Sequence, residues 1–308
     1  MTHMIFANGY DYHENQDGSC YAVNSKTGEV TDALYALMPA GSYITTPEYS
    51  AASRERKRQR QHFFHLTNAK NKLGKFYFLA TNNGMEQLNP ATAMRLIYLG
   101  SYLRYDTDSL YITQRKPMKI PDLQKVMGLS DATIRRFLDE VFPTYLFTDK
   151  NGNLHLNSSI FRRGPLPENG EQGSFQKVYI NAIRSLYQTI PIRKHKQMGY
   201  IFQLLSHFNI QYNMLCQNPY EADFLHVEPL TIREFCGLIG HSYSTVARLI
   251  DAYSNVHIMI NKDEEAFCSF VSEDGNLENA RIFINPHIFY SGTDPEQASV
   301  MGHFCKIS

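Results

Sequence analysis

Residues 127–141 read MGLSDATIRRFLDEV, and residues 239–253 read IGHSYSTVARLIDAY. Aligned at an offset of 112, they share Gly128/Gly240, Ser130/Ser242, Thr133/Thr245, Arg136/Arg248 and Asp139/Asp251. Apolar residues keep step as well: Met127/Ile239, Ile134/Val246, Phe137/Leu249 and Leu138/Ile250. In each stretch a short helix ends at a glycine, which takes the left-handed backbone of a tight turn at low steric cost. A serine then stands where a helix N-cap belongs. The second helix follows with apolar residues at i, i+3, i+4 and i+7, which in the first copy are Ile134, Phe137, Leu138 and Val141. Two helices joined in this way form a helix-turn-helix.

The flanks repeat too. Asn89-Pro90 opens a helix over residues 91–105, ATAMRLIYLGSYLRY, after the strand-like KFYFLA at 75–80. Strand-like SLYIT (109–113) and the short helix IPDLQKVMG (120–128) lead into the repeat, and Asn151-Gly152 closes a hairpin within YLFTDKNGNLHLN. In the second half, YINAIRSLYQTIP (179–191) is an extra helix, and KHKQMGYIFQLLSHF (194–208) matches the first long one. Strand-like FNIQYNMLC (208–216) follows, then TIREFCGLIG, with a capping box from Thr231 to Glu234. A turn at Asp274-Gly275 precedes the strand ARIFIN. LHLNSSIFRRG (154–164) and IFINPHIFYSG (282–292) share Asn157/Asn285, Ile160/Ile288, Phe161/Phe289 and Gly164/Gly292 at an offset of 128. The second copy is therefore expected to carry its extra residues in the turn of its hairpin. Such a long-range repeat marks a duplication.

The expected fold class is mainly α with small β wings, an α+β protein of two tandem winged helix-turn-helix domains. The domains are placed at 76–164 and 174–292, joined by the Pro- and Gly-rich linker 165–173. Residues 1–75 form an N-terminal extension of short strands and turns, with a basic arm at 50–61, and 293–308 form a tail.

The 308 residues carry no net charge, which alone argues against nucleic acid. The distribution argues otherwise. Residues 1–49 carry a net −5, 50–165 a net +10, 166–260 zero and 261–308 a net −5. A basic first half between acidic ends is an electrostatic footprint. Its densest part is Arg54, Arg56, Lys57, Arg58 and Arg60, read as a phosphate-binding arm or a solvated connector. No apolar run approaches a membrane span, and five cysteines without a CxxC pair suit a reducing, cytoplasmic setting.

At about 100° per residue, Ala132 and Arg136 point away from the core of the second helix, flanked by Thr133, Arg135 and Asp139. In the other copy Ser244 and Arg248 point outward, beside Thr245 and Asp251. Small residues at the helix start let it sit deep in a major groove, where Arg136 and Arg248 reach guanine O6 and N7. Ser130 and Ser242, at the N-caps, are placed to hold a phosphate. The competing reading pairs Arg136 with Asp139 or Glu140, and Arg248 with Asp251, as surface ion pairs.

The order long helix, strand, helix-turn-helix, wing and INPHIFYSG resembles the winged-helix replication proteins of Gram-positive plasmids and phages. The match is clearest over 174–292 and weaker over 76–164. The paired architecture is similar to plasmid replication initiators, which bind origins as monomers and often repress their own gene. The resemblance implies double-stranded DNA as partner, a role as replication initiator or transcriptional regulator, and host replication or transcription proteins or a second copy of the chain as further partners. A rival class is a protein-interaction scaffold in which the second unit binds a partner protein.

Catalytic signatures are missing. There is no GxxxxGK[ST] or GxGxxG loop. His62-Phe63-Phe64-His65 lacks a third ligand, and His303 with Cys305 lacks a partner pair at zinc spacing. Lys194-His195-Lys196 reads as a contact to phosphate or solvent. The chain is expected to be no enzyme and to use no metal or cofactor.

Overall fold

The computed structural model describes residues 5–6, 10–15, 20–32 and 44–45 of the N-terminal part, and 74–79, 84–165, 175–260, 263–272, 279–292 and 298 of the rest. Two units are distinguished, Met1–His65 and Leu66–Ser308. The first contains β1 (Ile5–Phe6), β2 (Tyr10–Glu14), β3 (Cys20–Asn24), β4 (Val30–Asp32) and β5 (Ile44–Thr45). Strands β2, β3 and β4 form an antiparallel sheet, and β1 pairs with β5. The β3–β4 turn falls at Lys26-Thr27-Gly28, where Asn24 Oδ1 accepts the N–H groups of Lys26 (3.0 Å) and Thr27 (3.3 Å). This side-chain mimic of a backbone turn is what Asn favours. The basic arm at 50–61 lies outside the described residues.

The second unit holds both copies of the repeat and is a mixed α+β body. Copy one runs β6 (Lys75–Leu79), α1 (Pro90–Gly100), α2 (Ile120–Met127), α3 (Asp131–Val141), β7 (Leu146–Thr148), β8 (Leu154–Leu156) and β9 (Phe161–Arg162). Copy two runs β10 (Phe175–Tyr179), α4 (Ile180–Thr189), α5 (His195–Gln203), α6 (Ile232–Leu238), α7 (Val246–Ser254), β11 (His257–Ile260), β12 (Asp263–Ala266), β13 (Cys268–Val271), β14 (Arg281–Ile284) and β15 (Phe289–Tyr290).

Helix α1 starts where the sequence places it: Asn89 Oδ1 accepts the Ala91 N–H at 3.0 Å, with Pro90 at the first helical position. It stops at Gly100, before the end of the apolar period. The N–H groups of Ser101, Tyr102 and Leu103 reach back three residues, to the carbonyls of Tyr98, Leu99 and Gly100, which tightens the last turn. Helix α5 likewise ends at Gln203, short of its periodic run. The segments SLYIT and FNIQYNMLC form bridges rather than strands, with Leu110 facing Leu103 and Leu215 facing Phe208.

The two copies share one sheet, ordered β15-β10-β6-β9 and antiparallel throughout. Tyr77 of β6 faces Lys177 of β10 at its centre. Outside them, Tyr77 also faces Arg162 of β9, and Lys177 faces Tyr290 of β15. Exchanging 77 with 177 and 162 with 290 maps the sheet onto itself, so the strands of the two copies are related by a local two-fold. Above it α1 packs on α5. A Cβ on Gly199 of α5 would lie 1.7 Å from the Pro90 carbonyl oxygen, so the approach requires glycine. A single buried cluster contains residues of both copies, including Phe76, Phe161, Phe202 and Phe289.

The division into two domains, 76–164 and 174–292, therefore gives way to one unit. Strands two to five residues long cannot bury both faces alone, and each copy completes its sheet with the other's strand. Linker 165–173, of which only Pro165 is described, joins β9 to β10 within that sheet and does not separate two bodies. In the 293–308 tail, Ala298 is buried in the same cluster.

The extra length of copy two lies only partly where expected: the hairpin from Cys268 to Ile284 is longer than that from Leu146 to Leu156, but the rest lies ahead of it. In copy one the Asn157 N–H donates to the Tyr145 carbonyl. In copy two the Asn285 N–H donates to Phe267 instead, and Phe267 N–H to Val256. Strand β13 thus takes the place of β7, with Cys268 facing Ile284 as Leu146 faces Leu156. The β11–β12 hairpin is inserted before the β13–β14 hairpin, and β11 packs on the extra helix α4, so the two insertions cover each other. Asn157 and Asn285 do the same work: each Oδ1 accepts the N–H two residues on, turning the chain into β9 or β15.

Candidate nucleic-acid interface

Both helix pairs turn on glycine as the sequence requires. Gly128 has φ 64° and Gly240 has φ 61°, and nothing lies within 4 Å of a Cβ built on either. The backbone conformation, rather than crowding, selects glycine there.

Helix α3 buries Ile134, Phe137 and Val141, with Leu138 half-buried. Ser130, Ala132, Arg135 and Arg136 are exposed and Thr133 is half-buried. Its orientation is set by Glu140, whose carboxylate accepts the Thr92 hydroxyl at 2.6 Å and the Asn89 N–H. Sequence periodicity had no way to reveal this latch, because its partners lie about fifty residues apart. Next to it, burial before all else holds the Arg95 guanidinium below its usual pKa, with Arg136 adding repulsion.

Copy two begins its second helix later. Tyr243–Thr245 form a 3-10 turn, and the α-helix starts at Val246. Ser244 is a weaker helix former than the Ala132 at the matching position, and the Thr245 hydroxyl bonds back to the Ser242 carbonyl at 2.9 Å. Copy one also has Asp131 in its first turn, which suits the positive end of the helix, whereas copy two has no acid there. Ser242, Ser244 and Arg248 are exposed nonetheless, and Thr245, half-buried, meets His241 Nε2 at 3.0 Å.

The serines occupy N-cap positions without capping. Ser130 Oγ pairs with Thr133 Oγ1 at 3.0 Å, and Ser242 Oγ with Ser244 Oγ at 2.8 Å. Neither accepts from a helix N–H, because a nearby hydroxyl competes for it.

The surface ion pairs of the competing reading do not form. Among the described residues Arg135, Arg136 and Arg248 make no ion pair. Glu140 is engaged with α1, and Asp251 Oδ1 accepts from Asn255 Nδ2 at 2.7 Å. These cations therefore remain available to a ligand.

The β7–β8 hairpin of copy one is tight. Asp149 Oδ1 accepts the N–H groups of Asn153 and Asn151, both at 2.8 Å, and these bonds, led by Asn153, pull its carboxyl down to about 2. Lys150 is left exposed at the tip. Copy two is less basic: its inserted strand β12 reads DEEA, and 273–278, reading EDGNLE, lies outside the described residues. It also has an apolar groove of about 370 Å³ lined by Ile232, Tyr243, Val246 and Ile250.

His195 is not a surface contact. It is 1% exposed, its ring is 4.5 Å from that of Tyr187, and burial, then Arg95, lowers its pKa to about 4. Cys216, Cys236 and Cys268 are buried free thiols. Among the described residues no cluster of metal-ligating side chains occurs, and no helix is long and apolar enough to cross a membrane. No protein-family model, curated protein or solved structure matches the chain.

Proposed function

We propose that the second unit is a tandem winged helix that binds double-stranded DNA, in the service of replication initiation or transcriptional regulation of a phage or plasmid. The observation that carries this reading is the matched pair Arg136 and Arg248. Both are exposed, unpaired cations at equivalent positions on the second helix of a glycine-turned pair. The order of helix, bridge, two helices and hairpin in each copy supports it, as does the basic charge of residues 50–165.

The local two-fold adds a geometric expectation. Two reading helices related by such an axis meet two half-sites in inverted orientation, as those of a two-fold dimer do. The outward residues differ (Ala132/Ser244, Arg135/Ala247), so the half-sites differ in sequence. The spacing is set by the shared core and not by the linker. Selecting duplexes from a random pool and footprinting spacing variants tests this. Inserting about five base pairs between the half-sites turns one groove to the far side and should lower affinity markedly. Equal binding by that variant would overturn the reading.

The acidic β12 and the apolar groove favour a second reading for copy two alone, in which α7 docks a partner protein. Protection of only one half-site in the same footprint would select it.

A further inference from the structure

A cleft of about 600 Å³ opens at the C-terminal end of α1, and no residue of α3 or α7 lines it. Four arginines do: Arg104 and Arg115 from the connection between α1 and α2, Arg163 after β9, and Arg184 on α4. Among the described residues no carboxylate joins them. The inner two are fixed by neutral oxygens. Arg163 Nη1 donates to the Leu103 carbonyl at 2.6 Å, and Arg184 donates to Ser101 Oγ at 3.0 Å and to the Ser101 carbonyl at 2.8 Å. A guanidinium has five N–H donors, so most stay free for a ligand. Burial, then the nearby charge of Arg184, holds Arg163 below its usual pKa. Gathering like charges without an acid works against folding, and an anion offsets that repulsion.

Aromatic rings alternate with these cations. Arg184 lies over Tyr102, 4.2 Å from the ring centroid, and Arg104 over Tyr111 at 4.8 Å. Tyr105, at the rim, is 66% exposed. A duplex keeps its bases stacked inside and offers only a convex ridge of phosphates, which has no use for tyrosines at the mouth of a cleft. An unpaired nucleotide uses both, placing phosphate on guanidinium and base on ring.

We propose that this cleft binds single-stranded nucleic acid, its phosphates held by Arg104, Arg115, Arg163 and Arg184 and one base stacked on Tyr105. The site is separate from the duplex surface described above and stands whether or not α3 and α7 read DNA.

The test uses the full chain and labelled oligo(dT) and oligo(U) of about 12 nucleotides, with the duplexed oligomer, ADP and inorganic phosphate as further arms. Saturable single-strand binding is expected. It should weaken by about tenfold or more in the Arg104→Glu/Arg115→Glu double variant and several-fold in Tyr105→Ala, while Tyr105→Phe keeps it. All three positions are exposed, so the variants should melt like the parent. Ultraviolet crosslinking should mark the peptide carrying Tyr105. The two oligomers distinguish DNA from RNA as the strand. Absence of single-strand binding, or binding that these variants leave unchanged, would overturn the proposal. So would saturable binding of ADP or phosphate without the strand, which would make the cleft a small-anion pocket.

Discussion

Thr92 on α1 donates its hydroxyl to Glu140 on α3 across 2.6 Å, and the same carboxylate accepts the Asn89 N–H at the start of α1. Thr92 is 3% exposed, so water does not replace a lost partner. Glu140→Ala should therefore cost about 1–3 kcal/mol in urea unfolding. In a double-mutant cycle with Thr92→Val the losses should be less than additive. Strict additivity would show that the two side chains do not act on each other.

Gly199 lies where a Cβ would meet the backbone oxygen of Pro90. Neither helix backbone yields easily, so Gly199→Ala should destabilise by about 3 kcal/mol or more. Because both copies share the core, the second unit should still unfold in a single thermal transition. Gly237 in α6 has nothing within 4 Å of a built Cβ, so Gly237→Ala should be neutral or stabilising by up to about 1 kcal/mol. Equal effects at the two glycines would rule out helix contact as the cause.

His195 is kept neutral by burial, with a pKa of about 4 against 6.5 for the free side chain. As pH falls from about 6.5 to about 4, the unfolded chain takes up this proton and the folded one does not. Stability present at neutral pH should thus decline through that window, by up to about 3 kcal/mol from this group. Urea midpoints at about pH 7 and about pH 5 should differ less in His195→Leu than in the parent. An unchanged difference would mean that another group carries the acid sensitivity.

Arg136→Ala and Arg248→Ala should each lower affinity for the selected duplex by about 1–3 kcal/mol and relax base preference within one half-site. Competition binding against single-base variants of each half-site measures both effects. If Arg248→Ala alone is silent, copy two does not read bases.

Neutralising Arg54, Arg56, Lys57, Arg58 and Arg60 should weaken cognate and random duplexes alike. The slope of log affinity against log salt should become shallower by up to about 0.9 for each phosphate that the arm no longer neutralises. An unchanged slope would make the run a solvated connector.

Local signals determined much of this protein. The glycine turns at 128 and 240, the start of α1 at Asn89-Pro90, the Thr231–Glu234 capping box and the Asn151-Gly152 hairpin are all present where their residues call for them. Each depends on groups within about four residues of one another, so short-range backbone chemistry is enough. The outward placing of Arg136 and Arg248 was legible for the same reason, since helical period alone decides it. What joins the copies was not legible. Tyr77 faces Lys177, Glu140 holds Thr92, and Phe267 takes the place that Tyr145 has in the other copy. Strands as short as β9 and β15 carry no usable period, and antiparallel pairing between distant segments depends on which apolar faces remain uncovered after the helices form. The cleft shows the same division. RYDTDSLYITQR contains two of its arginines and two of its tyrosines in plain view, but Arg163 and Arg184 come to them only because β9 and α4 pack against the end of α1.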